Sequence, residues 1–241
     1  MIVVSGHQPA YLPWLGLLHK ASLCDVFVYM DDVQFLTRDF NHRNRVVTPS
    51  GQVLWLTVPV DRKGSPSDRL ADIRIGRSQD RKGWQEEHSL TLRSCYGKAP
   101  YFKEYWPFFE WLYHDSEWTR LADLNLAMLK QAFDWFGLSP RIEIGSECGF
   151  TGRKSDLVLE HAETFGAEVV VTGAMGRDYI RIEDFEGKGI KVIFQEYNHP
   201  EYSQGRHAFA SPMAFVDLLF RHGPQSAEIA FGQNMIKDEL L

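Results

Sequence analysis

The opening 35 residues constrain the fold most. An apolar run, MIVVSG, stops at the turn HQPAYLP. WLGLLHKASLC then sets Trp14, Leu17, Leu18 and Ala21 at helical spacing, and a second apolar run, DVFVYMDDVQF, follows. This reads as strand, turn, helix, strand. The same alternation returns later. RLADLNLAMLKQAFDWFGLS predicts the clearest helix, with Leu121, Leu124, Met128, Leu129, Ala132 and Phe136 on one side and Gly137 closing it. SDLVLEHAETFGAEVVVTG predicts a helix with Ser155 as N-cap, stopped by Gly166, and then the strand Val169 to Val171. GIKVIFQEY supplies one more strand. SPMAFVDLLFRHG predicts a last helix, with Ser211 as N-cap, Pro212 at its first position and Gly223 past its end. Short apolar strands alternating with helices at both ends of a chain predict an α/β fold: a Rossmann-like parallel sheet with helices on both faces.

The segment between has a different texture. VLWLTVPV (Val53 to Val60) predicts a further buried strand with Pro59 at its end or on an edge. A charged, turn-rich stretch from Asp61 to Arg69 separates it from DIRI. Residues 80–137 form an aromatic-rich segment of short helices, with breaks expected at Gly97 to Pro100 and at Pro107. No repeat, low-complexity run or linker divides the chain. Residues 1–241 therefore read as a single α/β domain, with 80–137 a mainly helical insertion or cap.

Composition narrows the function classes. Of the 241 residues, 44% are hydrophobic and 13% aromatic, enough to bury a large core without metals or disulfides. The net charge of −6 and pI near 5.8 argue against nonspecific nucleic-acid binding, which needs a basic face. Cys24, Cys95 and Cys148 are odd in number, widely spaced and form no C-x-x-C pair, so a reducing cytoplasm is expected. MIVVSG is too short for the core of a signal peptide, and no apolar run approaches the roughly 20 residues that span a bilayer. No membrane insertion is expected, and the oligomeric state is left open. No G-x-S-x-G, Cys–His signature or Walker loop is present, so neither nucleophile chemistry of those types nor P-loop hydrolysis is indicated.

In a parallel α/β sheet, ligands bind beyond the carboxyl ends of the strands, and the first strand-to-helix turn offers N–H groups and a helix dipole. His7, Gln8, Tyr11 and Trp14 sit in that turn, stiffened by Pro9 and Pro13. The competing reading is a prolyl loop whose Trp14 plugs the core and whose His7 is inert. Lys20 either points back to the sheet edge or caps the first helix. Asp31 and Asp32, with Gln34 just beyond, end the second strand and either serve a site or solvate a turn. RDFNHRNR gathers Arg38, His42, Arg43 and Arg45 around Asn41 and Asn44, a mixture suited to forked contacts with a diphosphate or to a solvated face. Gly173 and Gly176 flank a strand-end turn that carries Arg177, Asp178 and Tyr179. FQEYNHPEYSQ offers Gln195, Tyr197, Tyr202 and Gln204 for a sugar, or packs as a loop. His88 and His199 lack partners at metal spacing, so no metal site is expected.

HQPAYLPWLG with Lys20, DDVQF, NHRNRV, WLTVPV, YGKAPYF, FQEYNHPEY and DLLF follow one another over nearly the whole chain. In this the sequence resembles the WbqC-like family, found among genes for O-antigen and other surface-polysaccharide assembly. The resemblance implies transfer of glycine or another small acyl group to a nucleotide-linked amino sugar. A second likeness, to the nucleotidylyltransferase and pantothenate-synthetase superfamily, rests on strand, HQPAYLPW, helix, DVFVYMDDVQF, and on VVTGAMGRDYI (Val170 to Ile180) after a late strand. In that superfamily a Q-P-x-H-x-G-H type turn holds ATP phosphates. Here Tyr11 and Trp14 stand where the motif has histidines, and only His7 remains nearby.

What these resemblances imply is an acyl or aminoacyl transferase, or an ATP-dependent carboxylate–amine ligase. The source of the activated group is left open between ATP with Mg²⁺, a coenzyme thioester and a carrier, and the implied partner is a nucleotide-linked sugar. His7, Lys20, Asp31 and Asp32 are the catalytic candidates. Gln8, Tyr11, Trp14, Gln34, Arg43, Asn44, Gly173, Arg177, Tyr179, Gln195, Tyr202 and Gln204 are the substrate-binding candidates. Lys20, Arg43 and Arg177 are assigned to phosphate, His7 and Gln8 to the reacting carboxyl, and Asp31 or Asp32 to the amine or Mg²⁺. The alternatives are a nucleotidyltransferase-like enzyme and a noncatalytic nucleotide-sugar-binding protein of the same pathway.

Overall fold

The apolar runs pair as expected in the computed structural model, which describes residues 1–77, 83–205 and 207–240. β1 (Val3–His7), α1 (Leu15–Ser22) and β2 (Val26–Tyr29) form the opening unit. The chain then leaves the sheet for two antiparallel ribbons, β3 (Arg43–Val47) with β4 (Val53–Thr57) and β5 (Val60–Asp61) with β6 (Arg74–Ile75). Three helices follow: α2 (Gly83–Tyr96), α3 (Phe102–Glu110) and α4 (Leu121–Trp135). β7 (Arg141–Ile144), α5 (Gly145–Cys148), α6 (Ser155–Thr164), β8 (Val169–Gly173), α7 (Ile182–Glu186) and β9 (Lys191–Gln195) restore the alternation, and α8 (Phe215–His222) and α9 (Ser226–Phe231) close the fold.

The sheet runs β7-β2-β1-β8-β9, with every pairing parallel. Counted by sheet strands alone, this is the doubly wound order 3-2-1-4-5, whose direction of progress reverses between β1 and β8. Register pairs Val4 with Val26 and with Val170, so these side chains emerge together on one face, against Ala162 of α6 and Phe185 of α7. Val3, Phe27, Tyr29, Val169 and Val171 emerge on the other face, in the core that holds α1, α4 and α8. Phe27 meets Phe133 of α4 edge to face, with ring centroids 5.4 Å apart. A strand covered on both faces can be apolar at every position, which is why these segments appear as continuous runs.

The aromatic middle third is core. Phe102, Trp106, Phe109 and Phe220 pack ring on ring. The start of this segment at residue 80 lies outside the described residues. Four local expectations are corrected. Pro107 does not break a helix: α3 runs through it, and the irregularity falls after it, in a wide π-type turn at Trp111–Asp115. Val53 to Val60 is not a buried strand of the main sheet. β4 belongs to an outer ribbon, with Leu56 buried and Trp55 47% exposed, because a two-stranded ribbon is covered on one face only. Ser155 does not cap α6: its hydroxyl accepts the Arg181 N–H at 3.0 Å, and Lys154 holds the cap position. The helix expected after Ser211 is α8, which begins at Phe215 after Ala214, leaving Ser211 and Pro212 outside it, and it is followed by α9. Gly137 and Gly166 end α4 and α6 at φ of +65° and +62°, as expected of glycine past a helix terminus. Among the described residues, no helix is long and apolar enough to cross a membrane.

Tyr11 links the opening turn to the helical segment. Its hydroxyl is 2.7 Å from His88 Nδ1 and 2.6 Å from the Tyr113 hydroxyl, in a site without solvent access. Tyr11→Phe removes the shared partner and leaves buried polar groups unsatisfied. Denaturant unfolding of this variant is expected to show a loss of about 1–3 kcal/mol.

Candidate functional site

The turn after β1 has no regular hydrogen-bond pattern, and its backbone is satisfied by two buried amides of the NHRNR segment. Asn44 Nδ2 donates to the Leu12 carbonyl at 2.5 Å, and Asn41 Nδ2 donates to the Pro9 carbonyl at 2.9 Å. The Tyr11 N–H adds a bond to the Phe40 carbonyl at 3.0 Å. Leu12 sits at φ +45°, a conformation costly for a side-chain-bearing residue. Asn44 is therefore a clamp on the turn, with no face left for substrate. The clamp splits the turn's two sides: Gln8 points into a cleft, while His7 and Trp14 face away from it.

That cleft, about 840 Å³, opens beyond the carboxyl ends of β1 and β2. Gln8, Asp32, Gln34 and Tyr179 of the predicted residues line it. Arg69 and the loop Thr151–Lys154, which leads into α6, complete it. The loop was read in sequence only as the approach to a helix cap. Gly152 is required there, because a Cβ would stand 2.7 Å from the Leu157 nitrogen. The N–H groups of Thr151 and Gly152 donate to the Glu160 carboxylate at 3.0 and 2.8 Å, which holds Glu160 below the usual carboxylate range. Lys154 adopts φ +53°, strained for a lysine. Arg153 and Lys154 have no carboxylate partner among the described residues, so the loop leading into α6 brings two unpaired cations to the cleft beside the helix start. The available signal was G-R-K-S-D at a helix start.

Asp31 and Asp32 divide their roles. Asp31 is buried and accepts the Ser146 N–H and hydroxyl, both at 2.8 Å, at the start of α5. Asp32 lines the cleft, and its Oδ1 is buried with no hydrogen-bond partner. Burial, reinforced by the Asp31 charge, raises its carboxyl above the usual range. Gly145 makes room for it: a Cβ there would approach Asp32 Oδ1 to 2.6 Å. Among the described residues, no three His, Cys, Asp or Glu side chains are placed to cage a metal ion. A magnesium ion carried on a triphosphate asks the protein for only one or two carboxylates, and Asp32 fits that demand.

The remaining candidates lie elsewhere. His7 Nδ1 donates to the Gln8 carbonyl at 2.8 Å, and its ring meets Trp14 edge to face with centroids 5.0 Å apart. Burial and the nearby Lys20 charge bring His7 down to about 3, so it is neutral at physiological pH. Lys20 is buried and donates from Nζ to the Gly6 carbonyl at 2.8 Å; burial lowers its amine to about 8. It supports the end of β1 and does not line the cleft. Arg43 packs on Trp55 of the outer ribbon, its guanidinium 4.6 Å from the ring centre.

Arg177 is turned outward, paired with Glu196 at 2.6 Å and lying over Phe194 at 4.6 Å. Gly173 ends β8 with open space around it, and Gly176 is the glycine that the turn demands, since a Cβ there would meet the Thr172 side chain at 2.7 Å. Gln195 is buried and bonds the Gly16 carbonyl at 2.9 Å and His19 Nδ1 at 2.6 Å. Tyr202 and Gln204 donate to the fully buried Asp217 carboxylate at 2.9 and 2.8 Å, while Arg221 pairs with its other oxygen at 2.9 Å. These three predicted sugar contacts are thus internal fastenings of the C-terminal segment.

The profile of the WbqC-like protein family matches residues 8–229, from the start of the cleft-forming turn to α9. The chain belongs to the WbqC-like protein family. An uncharacterized protein of Mycobacterium tuberculosis (strain ATCC 25618 / H37Rv), Rv1507c, is 27% identical over 222 residues, spanning 92% of this chain and 94% of that protein. No solved structure matches the chain at a significant level. Neither comparison supports the likeness to the nucleotidylyltransferase and pantothenate-synthetase superfamily.

The Asp32 environment has a signature in stability. Because its folded pKa lies above the unfolded value, its ionisation opposes folding: the penalty is absent below the usual carboxylate range and grows as pH rises through it. Asp32→Asn is expected to raise the melting temperature at neutral pH relative to wild type, with the difference vanishing in melts at acidic pH.

Proposed function

We propose that the cleft transfers a small acyl or aminoacyl group to the amine of a nucleotide-linked amino sugar in surface-polysaccharide assembly. The observation that carries this reading is Asp32, a carboxylate of raised pKa with one unpartnered oxygen, lining a cleft whose other wall, the loop before α6, holds two unpaired cations. Each part matches a requirement of the reaction. Phosphates of a nucleotide suit Arg153, Lys154 and the start of α6, where N–H groups and the helix dipole favour negative charge. The amine of the acceptor is unreactive as an ammonium ion. A carboxylate of raised pKa takes up its proton as the nitrogen attacks the acyl carbon, the acyl–donor bond then breaks and the donor leaves as thiolate or phosphate, and Gln8 supplies an amide to orient the acyl oxygen. Charge developing on that oxygen is met by donors already fixed in place, because the Asn41 and Asn44 clamps hold the turn that carries Gln8. Membership of the WbqC-like family supports the pathway assignment.

ATP with Mg²⁺, when bound, would activate a free carboxylic acid; Arg153 and Lys154 would hold its phosphates and Asp32 its metal. In that case Asp32 serves the metal, and the proton leaves by another acceptor or by solvent. With a preactivated donor, such as a coenzyme thioester, Asp32 acts as the base.

Both routes are distinguished by incubating the purified protein with nucleotide-linked amino sugars and either glycine with Mg-ATP or acetyl-coenzyme A, and following product mass. Acylated nucleotide sugar is the expected product, formed about 10²- to 10⁴-fold more slowly by Asp32→Ala at unchanged fold. Absence of product with every donor and acceptor pair overturns the transferase reading.

A further inference from the structure

The outer ribbon carries a second concentration of positive charge, separate from the cleft. Side chains alternate along β3 and β4: Asn44, Val46 and Leu56 turn inward, while Arg43, Arg45 and Trp55 share the outer face. Arg45 stands directly opposite Trp55 in the register, and Arg43 is its diagonal neighbour, opposite Thr57. Their guanidinium carbons lie 5.4 and 4.6 Å from the centre of the same indole ring. Two like charges are thereby gathered on one face, in a protein whose net charge is −6.

No carboxylate answers them. Among the described residues neither arginine takes part in an ion pair, unlike Arg62, Arg69, Arg93, Arg120, Arg141 and Arg177. Arg43 spends one Nη2–H on the Arg38 carbonyl at 2.8 Å. The Nε atoms of both arginines are shielded from solvent and have no hydrogen-bond partner. The donors left for a ligand are therefore the terminal Nη–H groups, and a guanidinium's two Nη–H edges still form a fork that grips two oxygens of one phosphoryl group. The indole is 47% exposed, and it begins a chain of rings that runs inward: Trp55 to Phe40 at 6.0 Å, Phe40 to Trp14 at 5.3 Å, Trp14 to His7 at 5.0 Å. None of these residues lines the cleft.

We propose that the outer face of the β3–β4 ribbon is a second anion site, binding a diphosphate group with one phosphoryl on Arg43 and the other on Arg45, and with the part of the ligand next to the diphosphate lying along Trp55 and Phe40. Two guanidinium charges match the two negative charges of a doubly esterified diphosphate, and the ring ladder offers a surface for a flat or apolar substituent. The diphosphate belongs either to a soluble nucleotide compound or to a lipid headgroup at a membrane surface. The inference makes no use of the chemistry assigned to the cleft, and either one can fail alone.

The test is a titration read at Trp55 itself. Indole N–H resonances are recorded on ¹⁵N-labelled full-length protein, with Trp55 assigned by the resonance missing from Trp55→Phe. One arm adds a nucleoside diphosphate sugar or inorganic pyrophosphate; the other adds vesicles of neutral phospholipid with and without a polyprenyl diphosphate. A saturable shift or selective broadening of the Trp55 signal in either arm supports the site and names its source. Affinity is expected to fall at least about tenfold in R43Q/R45Q and to weaken with rising salt, and to be unchanged in Arg153→Gln, whose position is in the cleft. R45K, which keeps the charge and loses the fork, is expected to bind more weakly than wild type and more strongly than R45Q. Melting curves confirm that each variant is folded. An unmoved Trp55 resonance in both arms up to about 10 mM ligand, or wild-type affinity in R43Q/R45Q, overturns the proposal.

Discussion

The functional geometry depends on one constraint: a turn of seven residues, 8–14, that makes no regular secondary structure has to be held by side chains from elsewhere. Backbone carbonyls of Pro9, Tyr11 and Leu12 are buried, and a buried carbonyl without a donor is expensive. Asn41 and Asn44 donate to them, and Asn125 of α4 in turn donates to the Asn41 carbonyl at 2.8 Å. Two motifs separated by some 30 residues thus act as one object. The clamp permits Leu12 its left-handed backbone and keeps Pro9 and Pro13 in place, and it decides that Gln8 meets the cleft while His7 and Trp14 meet the ring ladder.

Around that object the protein places charge unevenly, and the unevenness is informative. Of two adjacent carboxylates, Asp31 receives both hydrogen bonds that α5 can offer, while Asp32 is left to a cleft with an unsatisfied oxygen. Of the arginines, most are paired on the surface, where pairing contributes little to stability. Arg43, Arg45 and Arg153 are among those that make no ion pair within the described residues. Stability alone gives no reason to leave a buried carboxylate oxygen or two stacked guanidiniums unanswered. Lys154 adds backbone strain at the same cleft.

Much of the fold was legible. The parallel strands announced themselves as apolar runs because both of their faces are covered, and α4 did so through a single apolar stripe. β7 was not legible: Arg141–Ile144 carries two charged residues in four, and it is a strand only because β2 offers it an edge. Pro107 misled because a local rule about proline ignores how far the surrounding rings hold α3 together. At the site, Gln8, Asp32, Gln34 and Tyr179 were visible from their places beyond strand ends, a property of topology that sequence alternation reports. Gln195, Tyr202 and Gln204 have the composition of a sugar site, yet their donors are consumed by Gly16, His19, Ala210 and Asp217.

By itself the sequence determined the class of fold, the position of the opening turn at a strand end, and the membership of a family, because each depends on local period or on residue identity in order along the chain. The tertiary structure alone decided which polar groups are free. Whether an asparagine clamps a turn or an aspartate faces a cleft depends on partners more than 30 residues away, and hydrogen-bond capacity spent on such a partner is no longer available to a ligand.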